Sequence, residues 1–203
     1  MDILQGKAAP AGRLPLTQYP ASYVNVAMTD MTIRPSATNP GRTYKWFTGT
    51  PVFEFGHGLH FTTFKSSWKT TPANTFSIQN ILRGAQNPRD LAPFTTFEVN
   101  VHNTGKVNSD YVALLFISGT GGPTPLPNKQ LVSYTRLHGV KAGATATAAL
   151  PVTLGSLARA DAKGNLWLFS GTYTVTLDTP GSLSHTFKLV GKDTQLTNFP
   201  QPS

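Results

Sequence analysis

Groups able to do acid–base or nucleophilic chemistry are sparse in this chain. Nine carboxylates stand among 203 residues, and only two of them are glutamates, Glu54 and Glu98. The histidines, at 57, 60, 102, 138 and 185, form no His-x-x-x-His pair and have no acidic cluster at ligand spacing, so no metal site is expected. Cysteine is absent, which removes thiolate catalysis, disulfides and cysteine-held metals together. No serine sits in Gly-x-Ser-x-Gly, and there is no phosphate-binding loop. Glu54 lies between Phe53 and Phe55; in an extended segment it points away from both, and it is expected to pair with Arg42 or with a neighbouring domain. Glu98 alternates out of the apolar set Phe97, Val99 and Val101 and reads as a solvated strand residue. Asp110 is expected to hydrogen-bond in a turn or at a strand edge. No catalytic, cofactor-binding or metal-binding residue is assigned, and no cofactor is expected.

The elements that would position such groups fall into three stretches. Residues 1–38 show no sustained periodicity. Asp2–Leu4 can end a helix with Gly6 as its cap, and Arg13–Thr17 can form one short edge strand, because Pro15 cannot donate to a central ladder. Residues 39–60 form a strap rich in glycine, proline and aromatics, including Arg42, Tyr44, Trp46, Phe53, Glu54, Phe55, Gly56 and Gly58. Its rings offer much apolar area that must be buried against something, while its glycines allow turns where side chains would clash. His57, between two glycines, is suited to a tight corner. Tyr44, Trp46, Phe47, Phe53 and Phe55 are too many to be covered by one sandwich, so some are expected to stay exposed.

From residue 61 the pattern becomes short alternating runs punctuated by turns. Strands are expected at 61–68, 95–102, 110–118, 131–137, 145–152, 166–177 and 184–190, with Asn103-Thr-Gly105 as one turn. Phe97, Val99 and Val101 supply one inner face, and Val112, Leu114 and Phe116 the other. About seven strands in this arrangement predict an all-β, immunoglobulin-like sandwich over 61–203 with a largely irregular N-terminal extension. Tyr173 is placed to make a tyrosine corner.

Net charge is +8, but the lysines and arginines are scattered, so neither nucleic acid nor membrane is expected as a partner. Met1-Asp-Ile-Leu-Gln-Gly-Lys7 lacks the basic start and apolar core of a signal peptide. Low charge with abundant Thr, Gly and Pro is the look of a secreted β-protein.

Two stretches carry a family resemblance. Gly49-Thr-Pro-Val-Phe-Glu-Phe-Gly-His-Gly-Leu-His-Phe-Thr-Thr-Phe64 resembles the connector of fungal glycoside hydrolase family 3 enzymes, especially β-xylosidases. Pro10-Ala-Gly-Arg-Leu-Pro-Leu-Thr17 resembles the closing segment of that family's α/β-sandwich domain, and Tyr19-Pro-Ala-Ser-Tyr23 with Met28-Thr-Asp-Met-Thr-Ile-Arg-Pro35 is similar to the xylosidase branch. The resemblance implies the end of the α/β-sandwich domain at 1–38, a connecting strap at 39–60 and a fibronectin type III-like domain at 61–203. It implies a secreted parent that removes xylose from the non-reducing ends of xylo-oligosaccharides with retention. Such chemistry needs two carboxyl groups about 5–5.5 Å apart. The family's nucleophile, an aspartate often within Ser-Asp-Trp, and its acid/base glutamate belong to regions not found here. Ser109-Asp110-Tyr111 imitates the first by three letters, but in a strand context. The chain alone is therefore expected to be a non-catalytic support, its partners the parent's N-terminal barrel and α/β-sandwich domain. The alternative is an accessory module adhering to xylan, lignin or other polyanions through its basic surface. For sugar contacts the loop at 119–128 is the most exposed candidate, while Trp46 is expected to be buried in the strap and Trp68 and Trp167 to serve the core.

Overall fold

Alternating branched and aromatic residues build two facing sheets. The computed structural model describes residues 1–200; the end of the expected sandwich range, 201–203, lies outside the described residues. Strands β1 (Phe64–Trp68), β3 (Pro93–Asn103) and β6 (Thr145–Thr153) form an antiparallel sheet in the order β1-β3-β6. Strands β2 (Thr75–Ser77), β10 (Leu183–Val190), β9 (Gly171–Leu177), β4 (Ser109–Gly119) and β5 (Gln130–Val140) form the second sheet in that order, antiparallel except for the β2–β10 pair. A small third sheet joins β11 (Thr194–Thr197), β8 (Leu166–Leu168) and β7 (Arg159–Ala160).

All seven expected strands are present, and the fold is an all-β, immunoglobulin-like sandwich with an irregular N-terminal extension. Three short strands, β2, β7 and β11, are added. The run expected at 166–177 divides because the chain changes sheets. β8 pairs with β7 and β11, whereas β9 pairs with β4 and β10. At the break, Ser170 donates to Asp193 Oδ1 from both its N–H (2.7 Å) and its hydroxyl (2.8 Å). Between β2 and β3 lies a short helix, Ile78–Arg83, whose N-cap Ser77 accepts from the Asn80 N–H and whose Ile78 enters the core.

The core lies between the sheets. Phe97, Val99 and Val101 from β3 and Ala148, Leu150 and Val152 from β6 meet Ala113, Leu115 and Ile117 from β4, Val175 and Leu177 from β9, and Phe187 and Leu189 from β10. The face expected on β3 is correct. On β4 the expected face is the wrong one: odd-numbered residues enter the core, whereas Leu114 and Phe116 are buried on the opposite side, beneath the strap. A strand buried on both faces has no polar alternation from which to choose its inner face.

Two turn expectations hold at atomic detail. Asn103 is fully buried and satisfied: its Nδ2 donates to Val107 O (2.9 Å) and Val140 O (3.0 Å), and its Oδ1 accepts from the Thr62 hydroxyl (2.6 Å) and the Gly105 N–H (3.2 Å). The Tyr173 hydroxyl donates to Phe169 O at 2.7 Å, which closes the tyrosine corner. Leu115→Ala, between the sheets, should cost about 2–5 kcal/mol in urea unfolding. Leu114→Ala should instead loosen the overlying strap, so that limited proteolysis within 1–60 accelerates more than global unfolding does. Equal protease protection of the extension in both variants would contradict this assignment of faces.

Candidate functional site

The residues with chemical potential gather where the N-terminal extension and the strap lie on the outer face of β4 and β5 and over the turn after β9. The extension starts with a turn, not a helix: Gly6 takes φ +71°, its N–H bonds Ile3 O (3.0 Å), and the Lys7 N–H bonds Asp2 O (2.8 Å), the hydrogen-bond pattern of a helix cap. Further along, Leu14–Gln18 runs beside Val52–His57. The Leu14 N–H donates to His57 O, Gly56 N–H to Leu14 O, Gln18 N–H to Phe53 O, and Val52 N–H to Gln18 O, all at 2.7–2.9 Å. The expected edge strand is thus half of a ribbon whose other half is the strap, and only Gln18 and Phe53 form a formal bridge.

Arg13 holds this ribbon down, a role no spacing in the sequence reveals. Its Nε and Nη2 donate to Val112 O at 3.1 and 2.8 Å, and Nη2 lies 3.2 Å from Asp178 Oδ2, with both side chains almost fully covered. Asp178 occupies the left-handed region (φ +60°), which an aspartate tolerates better than most residues. Its carboxylate also accepts from the Leu114 N–H (3.0 Å) and from the Tyr111 hydroxyl. Burial, then the Asp178 carboxylate, pushes the Tyr111 phenol up, so it remains a donor. The guanidinium lies 5.4 Å from the Tyr111 ring centroid. Close approach explains the strap glycines: a Cβ on Gly56 would sit 2.8 Å from Leu114 Cδ1, and one on Gly58 would sit 2.7 Å from Gly12 O.

The other strap residues are placed as follows. Tyr44 stacks on Phe55 (4.4 Å between centroids), and both meet Phe116 edge-on. Trp46 is half-buried with the Arg34 guanidinium 5.2 Å from its ring, and Phe47 is buried. Phe53 is 44% exposed and leans on His57. Arg42 does not meet Glu54: it donates to Asp30 O (2.6 Å) and Thr32 O (3.2 Å). Glu54 pairs instead with Lys129 (2.8 Å), because the strap lies over the β4–β5 connection and not over its own beginning. Lys129 also donates to the Thr179 hydroxyl (3.0 Å).

The remaining candidates lie apart from the strap. Asp110 is a strand-edge acceptor: it accepts from the Gly139 N–H (2.7 Å) and from Arg136 (2.8 Å), which hold its carboxyl below the usual range. Glu98 pairs with Lys69 on the surface (2.9 Å). Trp68 packs on Phe97, and the Trp167 N–H bonds Asp161 (2.9 Å). Arg159 ties the 119–128 loop through Gly121 O and Pro125 O (3.0 and 3.1 Å). Among the described residues no three His, Asp or Glu gather as a metal site, and no helix is long and apolar enough to cross a membrane.

Residues 111–179 match the fibronectin type III-like domain family. The chain is 51% identical to the probable exo-1,4-beta-xylosidase bxlB of Aspergillus fumigatus, across 99% of this chain and 27% of that protein. It is 45% identical to the exo-1,4-beta-xylosidase xlnD of Emericella nidulans, across 98% of this chain and 26% of that protein. Along practically its whole length this chain is similar to the C-terminal part of fungal-type glycoside hydrolase family 3 β-xylosidases. A solved GH3 exo-beta-xylosidase (XlnD), in complex with a xylobiose aziridine activity-based probe, superposes with a TM-score of 0.92 at 43% identity, over 98% of this chain and 27% of that one. The β-D-glucoside glucohydrolase of Trichoderma reesei shares the fold at 23% identity and a TM-score of 0.69, over 93% of this chain and 28% of that one. The chain spans about a quarter of the length of the xylosidases it matches.

Arg13→Ala strands the Asp178 carboxylate without its cation and should cost about 3–5 kcal/mol in urea unfolding. A loss below about 1 kcal/mol would mean that the ion pair does not hold the extension down. His60 gives a second handle. Both of its ring nitrogens are buried, with no more than a weak contact to the Pro10 backbone, and its ring stacks on Tyr111. Burial first, then the nearby Arg13 cation, lowers its pKa. Between about pH 6.5 and the lower folded value, the unfolded chain therefore binds more protons than the folded one, so stability falls on acidification. His60→Phe should flatten the pH dependence of the urea midpoint below about pH 6.5. An unchanged slope in that variant would assign the pH dependence to other groups.

Proposed function

We propose that this chain is the non-catalytic C-terminal support of a family 3 β-xylosidase. The intact protein would release xylose from the non-reducing ends of xylo-oligosaccharides with retention, outside the cell, in the breakdown of xylan. The carrying observation is similarity to exo-xylosidases along practically the entire chain, at 43–51% identity, against about a quarter of their length. The carboxylates support the same reading. Glu54, Glu98 and Asp110 are each committed to a cation on separate surfaces, which gives no pair poised for acid/base and nucleophile roles.

Residues 1–38 and the strap, with Arg42, Tyr44, Trp46, Phe53, Glu54, Phe55, Gly56 and Gly58, would join this sandwich to the barrel and α/β-sandwich domains. Exposed apolar side chains fit such cover: Leu16 (51%), Val24 (84%), Met28 (92%) and Met31 (81%) surround one apolar hollow. Dispersed lysines and arginines give adhesion to polyanions no comparable support.

The purified chain should not hydrolyse an aryl β-xyloside above blank. Substituted for the corresponding quarter of the Aspergillus fumigatus relative, it should yield a folded enzyme that does. Turnover by the isolated chain that Glu54→Gln or Asp110→Asn abolishes would overturn the non-catalytic reading. A folded but inactive chimera would overturn the supporting one.

A further inference from the structure

Beside the Glu54–Lys129 pair lies a cavity of about 260 Å³ that the packing of strap on sandwich leaves open. It is smaller than the roughly 300–1,000 Å³ pockets that enclose drug-sized ligands. Tyr44, Phe47, Pro51 and Phe55 make its apolar wall, and Glu54, Asn128 and Lys129 bring polar groups to it. These come from three separated parts of the chain, with the aromatics from the strap and Asn128 and Lys129 from the β4–β5 connection.

The hydrogen-bonding state of each polar group restricts what can enter. Glu54 uses Oε2 on Lys129 (2.8 Å), and its Oε1 has no partner among the described residues. Asn128 spends its Nδ2 on Phe47 O (2.8 Å), and its Oδ1 likewise has no partner among the described residues. The Tyr44 hydroxyl accepts from the Leu131 N–H (3.2 Å), which leaves its own proton to donate. Lys129 spends two of its three N–H donors on Glu54 and on the Thr179 hydroxyl (3.0 Å), and it lies 4.9 Å from the Phe116 ring centroid. Thr17 also lines the cavity and has a buried hydroxyl with no partner, so a turn about χ1 gains it one in a ligand. The ammonium cancels the carboxylate, so the site selects neither cations nor anions. It offers free acceptors at Glu54 Oε1 and Asn128 Oδ1, donors at Tyr44 and Lys129, the Thr17 hydroxyl, and an aromatic wall at the scale of a single ring.

We propose that this cavity is a binding site for one neutral pyranose sugar, whose hydroxyls would donate to Glu54 Oε1 and Asn128 Oδ1 and accept from Tyr44, with its C–H groups against the aromatic wall. The argument uses only the cavity's own atoms and does not rest on the activity proposed above. Binding is of the ground state, and no bond is made or broken.

The test is a heteronuclear NMR titration of the full chain with D-xylose and with methyl β-D-xyloside, and with sulfate and putrescine as charged comparators. The expected result is saturable shifts confined to amides of the cavity lining, such as Tyr44, Phe55, Asn128 and Lys129, with an affinity on the order of millimolar. Glu54→Gln should weaken binding about tenfold or more. Glu98→Gln, remote on β3, should leave it unchanged. Tyr44→Phe keeps the ring stack but loses the donor, and it should weaken binding even if Glu54→Gln disturbs the strap. Non-saturable or scattered sugar shifts would overturn the proposal. So would saturable binding of sulfate or putrescine at the same amides, or sugar affinity unchanged in both cavity variants.

Discussion

A single buried ion pair, Arg13 with Asp178, ties the N-terminal extension to the sandwich, and the outer layer of the molecule depends on it. Its worth is not simply Coulombic, because two charges removed from water lose hydration that their attraction only partly returns. The surroundings offset that loss: the Val112 carbonyl takes two guanidinium bonds, while Tyr111 and the Leu114 N–H bond the carboxylate. Each partner is an immobile part of β4 or its neighbour, so the guanidinium has one seat. Registration of the extension follows from that seat, since Leu14–Gln18 then lies where the strap's backbone can bond it.

Strap and extension together act as a third layer on one sheet. Their presence explains why β4 is apolar on both faces, with Leu115 in the inter-sheet core and Leu114 and Phe116 under the strap. It also explains the glycines at 56 and 58, where a methyl would meet Leu114 or the Gly12 carbonyl. Where the layer turns away from the sandwich, packing is incomplete, and the cavity between Tyr44, Phe55 and Lys129 is the result. Fully packed interiors rarely leave such space. Here the space opens beside a neutralised carboxylate with a free oxygen, which makes it chemically selective.

This architecture separates attachment from chemistry. Carboxylates that could have served catalysis are held by lysine or arginine at distinct positions, while His57, His60 and His185 pack against aromatic rings, His102 bonds the Thr145 hydroxyl and His138 meets Asp110. Several of the apolar side chains left uncovered, Val24, Met28 and Met31 among them, lie on the extension, and others, such as Leu59, Leu91 and Tyr134, lie on the strap and the sandwich. The chain matches about a quarter of the length of the xylosidases it resembles, and its exposed apolar side chains are in keeping with the proposed cover by further domains.

Seven strands, the Asn103 turn and the Tyr173 corner were legible in the sequence, because period-two alternation, turn residues and the Gly-x-Tyr pattern are local signals. The family was legible for a related reason: the Pro10–Thr17 and Gly49–Phe64 stretches are dense in residues that only special packing requires. The expectation that some strap aromatics stay exposed holds at Phe53, although Phe47 is buried and Tyr44, Trp46 and Phe55 are half-covered. What the sequence could not decide was which face of β4 turns inward, since both faces are apolar and the covering layer is about sixty residues away in the chain. Nor could it show that Glu54 meets Lys129 in place of Arg42, or that Arg13 meets Asp178, 165 residues later. Those partners are set by how the extension folds back onto the sheet, and a charge carries no mark of the distant partner that will neutralise it. Residue types determined the strands and the relationship, and tertiary folding alone determined the ion pairs, the buried outer face and the cavity.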